Sequence, residues 1–389
     1  MRANSALVIE PAQSWKRLQG AKEFFIENLD EFLHGQHQAV LENLMLYERE
    51  CFLNAHPYQR HEGRVDQANG FYHRRLTTRA GSFALAVPRT RSGLFRSQLI
   101  PRYKRRDRAV DEAIKSVFLL GVSTRQTGRA LAALLDEAVS AATVSAVCKV
   151  LDQAVERYHQ RALSDRYEHL LLDGVSVRLR LVGAVQRRMV LCAYGITAGG
   201  TRELIDFLIV KAEGEDTWKT FLLNLYRRGV TGENLRLVAT DGQKGAARAI
   251  AFVWPRAAHQ RCWAHKLRNV ANKLKRSQQV CVDEARVIYQ AGHRQEAIQE
   301  FRRWKARWFK EAPQAVRCLE SDLEALLEFF ACPRALWKKL RTTNPIERLF
   351  VEVRRRIRTM CAFTTRSSCE RILFSVFNRM NRYWETRPL

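Results

Sequence analysis

Leu235-Arg-Leu-Val-Ala-Thr-Asp241-Gly-Gln-Lys-Gly245-Ala-Ala is the stretch that decides the fold of this chain. Four of its first five residues are apolar, which predicts a buried β-strand. The strand leads into Asp241-Gly242, a turn signal, and an Ala-rich helical pattern follows. Asp241 is therefore expected at the carboxyl end of a buried strand, where open α/β sheets bind their ligands. Taken alone, Asp241 could also serve only to start the turn or to cap the next helix.

A second apolar run carries the same Asp-Gly pair, in the sequence Leu170-Leu-Leu-Asp173-Gly174-Val175. Asp173 precedes Asp241 by 68 positions, so the two carboxylates belong to separate predicted strands. They could meet at one site if these strands are neighbours in a sheet. The repeated pattern therefore favours a shared acidic site over two unrelated turns.

The composition indicates a polyanionic partner. The chain has 389 residues, of which 46% are hydrophobic, and a net charge of +26. This length is sufficient for two or three domains, and so large a positive excess favours nucleic acid binding over solubility alone. No apolar run approaches the roughly 20 residues of a membrane helix, and the N-terminus lacks a signal-peptide core. Nine scattered cysteines are typical of reduced thiols, so we expect a cytoplasmic, nucleoid-associated protein.

The first predicted region, residues 1–108, joins a long helix to short strands. Residues 14–53 have apolar side chains at helical spacing, namely Phe25, Leu29, Phe32, Leu41, Leu44 and Met45. Core packing is the simpler role of this stripe, and dimerisation is the alternative. Alternating segments such as 83–87 predict strands. A basic run at 101–108 closes the region and predicts contacts with DNA phosphates, at Arg102, Lys104, Arg105 and Arg106.

Residues 109–160 are predicted to form a helix-turn-helix DNA-binding region. Val110–Leu120 has a helical apolar stripe, Gly121-Val-Ser-Thr124 provides a turn and an N-cap, and a second helix extends to Leu135. A third helix begins near residue 140 and is rich in small and hydroxyl side chains, which can approach DNA closely in the major groove. We assign DNA contacts on it to Ser140, Thr143 and Ser145. A plain three-helix packing unit is the alternative.

Residues 165–265 change to a strand pattern, with an amphipathic helix at 218–228 and the Ala-rich helix after Asp241. Strands are predicted at 169–175, 189–196, 204–210, before Asp241 and at 257–262, with a hairpin turn at 197–200. Three antiparallel strands, a helix, a strand, a helix and another strand form the order of a ribonuclease-H-like α/β fold. In that architecture the middle of the first strand lies beside the end of the fourth. Asp173 and Asp241 fall at those two positions.

Residues 266–340 are polar and helical without an apparent strand, which predicts an all-helical insertion in the α/β core. Residues 341–389 then supply the closing helices. The first has Asn344 as a suitable N-cap and Pro345 at its first position, followed by the buried stripe Ile346, Leu349, Val353 and Ile357. Further phosphate contacts are expected on its basic face, at Arg354, Arg355 and Arg356.

Glu347 lies three residues after the predicted Asn344 N-cap, where a capping-box glutamate occurs. By spacing alone, helix capping is the simpler role. Glu352 is the other acid on this helix, and five residues at about 100° each turn it well away from Glu347. Only one of the two can therefore face a common site.

A trio of carboxylates would suit phosphodiester chemistry. Two Mg²⁺ ions about 3.5–4 Å apart neutralise charge on the attacking and leaving oxygens, and such hard ions prefer carboxylate ligands. With ordinary carboxyl pKa values near 4, these groups are ionised at neutral pH. The predicted catalytic and metal-binding residues are Asp173, Asp241 and Glu347, with Mn²⁺ as a substitute for Mg²⁺.

Cys262-Trp-Ala-His265 forms a Cys-x-x-His pair. A zinc site needs four ligands, and no second pair follows at suitable spacing, because Cys281 and His293 are isolated. We therefore favour a packed structural pair beside the acidic site over a zinc centre.

The combined motifs resemble bacterial mutator-type insertion-sequence transposases over nearly the whole chain. They are Asn69-Gly-Phe-Tyr-His-Arg74, Pro88-Arg-Thr-Arg-Ser-Gly93, Leu-Asp173-Gly174, Asp241-Gly242, Gln260-Arg-Cys-Trp-Ala-His-Lys-Leu-Arg-Asn269 and Thr343-Asn-Pro-Ile-Glu-Arg348. The resemblance implies a DDE transposase, with a ribonuclease-H-like core interrupted by a helical insertion. It assigns the catalytic trio to Asp173, Asp241 and Glu347, and it is the resemblance that favours Glu347 as a ligand over a cap.

Such an enzyme is expected to bind the terminal inverted repeats of its element and to cut DNA with water as nucleophile. It then joins the freed 3′-hydroxyl to target DNA. Double-stranded DNA and further copies of the chain, as a homodimer or larger oligomer, are the expected partners, without a membrane. A catalytically silent DNA-binding repressor is the alternative, against which the intact acids argue. A nuclease of the same fold without strand joining is a third interpretation.

Overall fold

The structure, a computed structural model, describes residues 11–389 except 61, 121, 136–138, 182–183 and 359–360; side chains at 11–28, 30 and 133–134 are also excluded. The chain divides into two compact units. The first comprises Met1–Phe118 with Thr124–Val147, and the second Leu119–Ser123 with Cys148–Leu389. The stretch 109–160 is shared between them, and the predicted domain boundaries stay a prediction. Gly121, at which we predicted a turn, lies outside the described residues.

The first unit combines a long helix with a β-hairpin. Its elements are α1 (Pro11–Leu53), β1 (Ala68–Thr78), β2 (Gly81–Thr90), α2 (Arg108–Leu119), α3 (Thr124–Leu135) and α4 (Ala141–Cys148). Strands β1 and β2 pair antiparallel, and α1 packs on β2. The core between them contains Met45, Phe83, Leu85 and Val87. The predicted strand at 83–87 is thus confirmed, since alternate side chains of this strand enter an apolar core.

The predicted stripe on the long helix is buried only in part. Met45 is fully buried, but Phe32 and Leu44 remain 53% and 44% exposed. The prediction of core packing is therefore wrong for these two side chains: Leu44 stands next to buried Met45 but about 100° around the helix, away from the face that packs on β2. The three helices predicted within 109–147 are present, with Val110, Ile114 and Phe118 buried on α2.

A mixed sheet forms the centre of the second unit. Its strands are β3 (Tyr167–Leu181), β4 (Ala184–Thr197), β5 (Arg202–Val210), β6 (Leu237–Thr240) and β7 (Ala258–Arg261). Within the described residues the strand order is β5-β4-β3-β6-β7. The first three strands pair antiparallel, whereas β6 lies parallel to β3 and β7 parallel to β6. The predicted strands are confirmed, although β3 and β4 are longer than the sequence indicated.

Helices pack on this sheet through apolar faces. They are α5 (Val150–Gln160), α6 (Glu215–Arg227), α7 (Lys244–Val253), α14 (Asn344–Ile357) and α15 (Arg366–Glu385). Trp218, Phe221 and Ile250 join side chains of β3 and β4 in the main core. Helix α14 packs on β3, and α15 packs on β5. Because α14 is held directly against β3, its first turn can bring an acidic side chain to the strand that contains Asp173.

The stretch between the sheet and α14 is helical, as predicted. Its elements are α8 (Trp263–Ala271), α9 (Val280–Gln290), α10 (Arg294–Trp308), α11 (Pro313–Glu320), α12 (Leu323–Leu327) and α13 (Trp337–Leu340), with 3₁₀ turns at Arg276–Gln278, Glu328–Ala331 and Arg334–Leu336. The predicted apolar stripes are buried at Phe301, Trp304 and Leu319. No helix of the described chain is long and apolar enough to cross a membrane.

Candidate functional site

Two acidic side chains meet because β3 and β6 are parallel neighbours. Leu171 of β3 pairs with Ala239 of β6. Because partners in a parallel ladder advance together, extending this register by two residues places Asp173 beside Asp241. The spacing of 68 positions in the sequence equals the offset of this register. The sheet therefore brings both predicted residues to one place, Asp173 within its strand and Asp241 just after the end of its own.

Each of these carboxylates has one oxygen held by the backbone. The N–H of Gly174 donates to Oδ1 of Asp173 at 2.8 Å, and the N–H of Gln243 donates to Oδ1 of Asp241 at 2.9 Å. Asp241 thus does start the turn before α7, which is the simpler of the two roles that the sequence allowed. The turn uses only Oδ1 of Asp241, and Oδ2 of both Asp173 and Asp241 makes no hydrogen bond within the described chain.

Negative charge accumulates around Asp173. The pKa of this carboxyl is raised to about 7, chiefly by burial and further by the charges of Asp241 and Glu347. The hydrogen bond from Gly174 and the charge of His265 act in the opposite direction. A carboxyl that is hard to ionise within a group of acids indicates a site that favours a cation.

Glu347 comes from the first turn of α14 and faces this site. Its Oε1 lies 3.4 Å from Nε2 of His265. The helix begins one residue earlier than predicted, because Thr343 rather than Asn344 occupies the N-cap, and no side chain caps the helix. Glu347 is then the fourth helical residue, so the capping-box position that we predicted for it was wrong.

Glu352, on the same helix, faces a different environment. Its carboxylate lies 3.6 Å from Arg355, 3.9 Å from Arg356 and 3.5 Å from Arg379. These three arginines neutralise it away from the acidic cluster. The helical geometry thus separates the two glutamates as the sequence indicated, and the stripe beside them is buried at Ile346, Leu349 and Val353, with Ile357 only half-buried.

Cys262 and His265 form a pair beside the acids. The backbone N–H and the hydroxyl of Thr343 donate to Sγ of Cys262, at 3.2 and 3.4 Å. Burial acts to raise the pKa of Cys262, but the hydrogen bonds from His265 and Thr343 lower it overall. The hydrogen bond with Cys262 raises the pKa of His265, as do the charges of Asp173 and Glu347. Within the pair, His265 is therefore the member that faces the acids with positive charge when it is protonated.

Glu213 is a further acid that we did not predict. It lies between β5 and α6, and a Cβ on Gly174 would be 3.4 Å from its Oε2. Trp218 donates to its Oε1 at 3.0 Å, while burial and the charge of Asp241 raise its pKa. The sequence held one signal for it: β5 is parallel to β3, so the loop after β5 leaves the sheet at the edge where Asp241 lies.

The donor chemistry of the cluster fits a hard divalent cation. Asp173, Asp241 and Glu347 offer carboxylate oxygens, and each has one oxygen without a hydrogen-bond partner in the described chain. Across the residues that the structure describes, no three His, Cys, Asp or Glu side chains are already arranged to hold a metal ion. The acids are therefore close enough to influence one another without forming a closed coordination cage.

The hairpin of the first unit borders a basic cavity of about 780 Å³. We call it the hairpin groove, and its cationic lining consists of Arg74, Arg75, Arg89, Arg96, Arg102 and Arg105. None of these six makes an ion pair with another described residue. Arg74 donates to the carbonyls of Pro101 and Lys104, which fixes the loop on the hairpin. The predicted residues Arg102 and Arg105 thus line a common groove.

The other predicted DNA-contacting residues differ in how available they are. Lys104 is exposed, whereas Arg106 is bound to Asp111 at 3.0 Å. On α4, the Ser140 hydroxyl donates to Thr143 Oγ1 at 3.0 Å and accepts from the Thr143 N–H, so it caps the helix. Ser145 is half-buried. On α14, Arg354 and Arg355 are exposed, but the side chain of Arg356 is only 11% exposed and pairs with Glu352.

Comparisons with known proteins agree over almost the entire chain. A sequence model of the family described as "Transposase, Mutator family" matches residues 9–387. The chain is 33% identical to the transposase for insertion sequence element ISRM5 of Rhizobium meliloti (strain 1021), covering 93% of this chain and 91% of that protein. It is 31% identical to the transposase for insertion sequence element IS905 of Lactococcus lactis subsp. lactis (strain IL1403), covering 91% and 90%.

A solved structure of a simian T-cell lymphotropic virus intasome, in complex with PP2A regulatory subunit B56 gamma, overlaps this chain only weakly. The TM-score is 0.17 at 10% identity, with 53% of this chain and 63% of that chain covered. So small a similarity carries no argument about the fold.

Proposed function

The chain belongs to the Mutator family of transposases, and from this premise we propose that it is a DDE transposase acting on its own insertion sequence. In this proposal it binds the terminal inverted repeats, cuts the DNA strand and joins the freed end to target DNA. The observation that carries the proposal is the convergence of Asp173, Asp241 and Glu347 from two strands and a helix.

The proposed catalytic core is ribonuclease-H-like. Support comes from the strand order β5-β4-β3-β6-β7, with three antiparallel strands followed by two parallel ones. Further support comes from the helices between Arg261 and Asn344, which separate the second acidic strand from the helix with the third acid. An insertion of this kind leaves the sheet intact, because its two ends lie together at the site: Trp263 N–H donates to the carbonyl of Arg341 at 3.0 Å.

In the proposed reaction, a water oxygen attacks the phosphorus of the strand end and the 3′-oxygen leaves. The freed 3′-hydroxyl then attacks a phosphodiester of the target in line. Asp173, Asp241 and Glu347 would hold Mg²⁺, or Mn²⁺ in its place, which supplies charge neutralisation for the attacking and leaving oxygens. The trio is suited to this role because hard cations prefer oxygen donors and a carboxyl with a raised pKa gains most from a neighbouring positive charge.

The surrounding residues have positioning roles in this proposal. The N–H groups of Gly174 and Gln243 each hold one oxygen of an aspartate, which leaves the other free for a ligand. His265 orients Glu347 through Nε2, and Thr343 Oγ1 lies 3.5 Å from Nδ1 of the same imidazole. A site held in this way needs little rearrangement during the reaction, which is how enzymes stabilise developing charge.

We assign DNA binding to the first unit. The hairpin groove offers arginines to the phosphate backbone, since guanidinium groups form paired hydrogen bonds with phosphate oxygens. Helices α2 to α4 are proposed to read the terminal repeats as a helix-turn-helix region. Because phosphate contacts carry no sequence information, repeat recognition requires such a second element.

A matched pair of glutamate variants tests the catalytic assignment. Glu347→Gln removes a charge from the acidic site, and we expect Mg²⁺-dependent strand cleavage to fall by roughly 10²–10³-fold or more, with binding to repeat DNA retained. Glu352→Gln removes a charge from the same helix among arginines and should leave cleavage near the parent rate. An active Glu347→Gln enzyme, or a normally folded Glu352→Gln enzyme without activity, would show that the wrong glutamate has been chosen.

A further inference from the structure

A second cavity, of about 430 Å³, lies beside the first turn of α14 in the second unit. Five cationic side chains line it, and no acid does: Arg202, Lys338, Lys339, Arg341 and Arg348. We call it the cationic pocket. The pocket and the candidate active site are built from the same two elements, since Ala264 precedes His265 on α8 and Arg348 follows Glu347 on α14, where consecutive side chains point about 100° apart. Its volume falls within the roughly 300–1,000 Å³ of small-ligand sites.

The positive charge of the cationic pocket is uncompensated. None of the five cations forms an ion pair with another residue that the structure describes. Arg202 instead stacks on Trp384, and Arg341 stacks on Tyr289 and donates to its carbonyl. Burial lowers the pKa of Lys339, and the like charges of Arg202, Arg348 and Lys338 lower it further. Cations crowded together without a counter-charge destabilise the fold unless an anion binds between them.

Two buried polar atoms of residues that line this pocket have no hydrogen-bond partner among the residues that the structure describes. They are Nε of Arg202 and the hydroxyl of Thr342. Buried polar groups without a partner are rare in folded proteins, because the hydrogen bonds that they lose to water are not replaced. An anion with oxygen acceptors, bound between the five cations, would neutralise the charge around these two atoms.

We propose that the cationic pocket binds a phosphate group of the DNA strand that is being cut. The inference rests on the proposed function for the identity of the strand, and it assigns a task to residues outside the acidic trio. A phosphate held at the first turns of α14, the helix that contains Glu347, would fix the position of the neighbouring phosphodiester relative to the three acids. Such positioning favours cleavage at one bond over its neighbours, because reaction requires near-attack geometry.

The test uses the full-length protein and inorganic phosphate as the probe. Phosphate should raise the melting temperature more than chloride does at equal ionic strength, since a ligand that binds only the folded state stabilises it. In Lys338→Gln/Lys339→Gln, the apparent phosphate dissociation constant should rise by roughly tenfold. The control Lys310→Gln changes an exposed lysine outside the pocket and should bind phosphate as the parent does.

Melting without phosphate separates binding from a structural role. Removing two crowded positive charges relieves their repulsion, so Lys338→Gln/Lys339→Gln should melt no lower than the parent when phosphate is absent. A variant that melts lower than the parent but binds phosphate with the same dissociation constant would overturn the inference. Equal stabilisation of the parent by phosphate and chloride would also overturn it.

DNA cleavage distinguishes this inference from the proposed function. If phosphate binding follows the expectation but the parent never cleaves repeat DNA with Mg²⁺, the proposed function fails and the pocket stands as an anion site. If the parent cleaves DNA, the double variant should need a several-fold higher DNA concentration for half-maximal cleavage. A double variant that matches the parent in both phosphate binding and cleavage refutes the pocket alone.

Discussion

Replacing Asp173 by Asn should stabilise the metal-free protein at alkaline pH. The substitution preserves the shape of the side chain and removes a charge from the most crowded point of the acidic site. Asp173 has a pKa of about 7 in the folded protein, compared with an ordinary value of 3.8. Folding thus favours the protonated form, so the charged carboxylate costs stability above about pH 7 and costs none below about pH 4.

The size of the effect follows from that difference. At about 1.4 kcal/mol per pH unit, the interval between 3.8 and about 7 corresponds to an upper limit of roughly 4 kcal/mol. The side chain is half-buried, so remaining solvent contact screens part of this energy. We expect Asp173→Asn to raise the free energy of unfolding by about 1–3 kcal/mol at pH 8, and by roughly a third of that gain at pH 5.

Urea unfolding in the presence of a metal chelator, followed by tryptophan fluorescence, measures this increase in the free energy of unfolding. The signal reports on the second unit, because every tryptophan except Trp15 lies there. Glu352→Gln is the control: its carboxylate is surrounded by arginines, and the variant should gain nothing. An Asp173→Asn protein less stable than the parent at pH 8, or with the same gain at both pH values, would refute the reasoning.

Three other predictions follow from the same geometry. Mg²⁺ should raise the melting temperature of the parent at pH 8 and leave Asp173→Asn nearly unchanged; equal shifts would contradict the assignment of Asp173 as a ligand. Gly242→Ala should lower the free energy of unfolding by about 1–3 kcal/mol, since φ is +90° and the new Cβ would lie 2.1 Å from Nε of Arg261; unchanged urea unfolding would contradict this. Plotting the logarithm of the DNA-binding constant against the logarithm of the salt concentration gives a slope. Arg102→Gln/Arg105→Gln should reduce the size of this slope by about 1.8, or about 0.9 per lost phosphate contact. Arg79→Gln, at the hairpin turn outside the groove, is the control and should leave the slope unchanged.

Local patterns determined much of this protein in advance. The apolar runs before Asp241 and around Asp173 predicted the two strands, because buried strands need continuous apolar residues. The short motifs that resemble the family supplied the link to transposases and the preference for Glu347, and the family model matches residues 9–387. These features depend on residues close in sequence or on short motifs that resemble a known family, so they can be recognised without coordinates.

Only the tertiary structure decided how the distant parts combine. The register of β3 against β6, set by apolar packing on both faces, brings Asp173 beside Asp241. Helix α14 begins at Asn344 with Thr343 as its N-cap, one residue earlier than the capping signals indicated, and this start turns Glu347 toward His265. Glu213 and the cationic pocket went unpredicted, because charges separated by dozens of residues have no sequence pattern until the chain folds and brings them together.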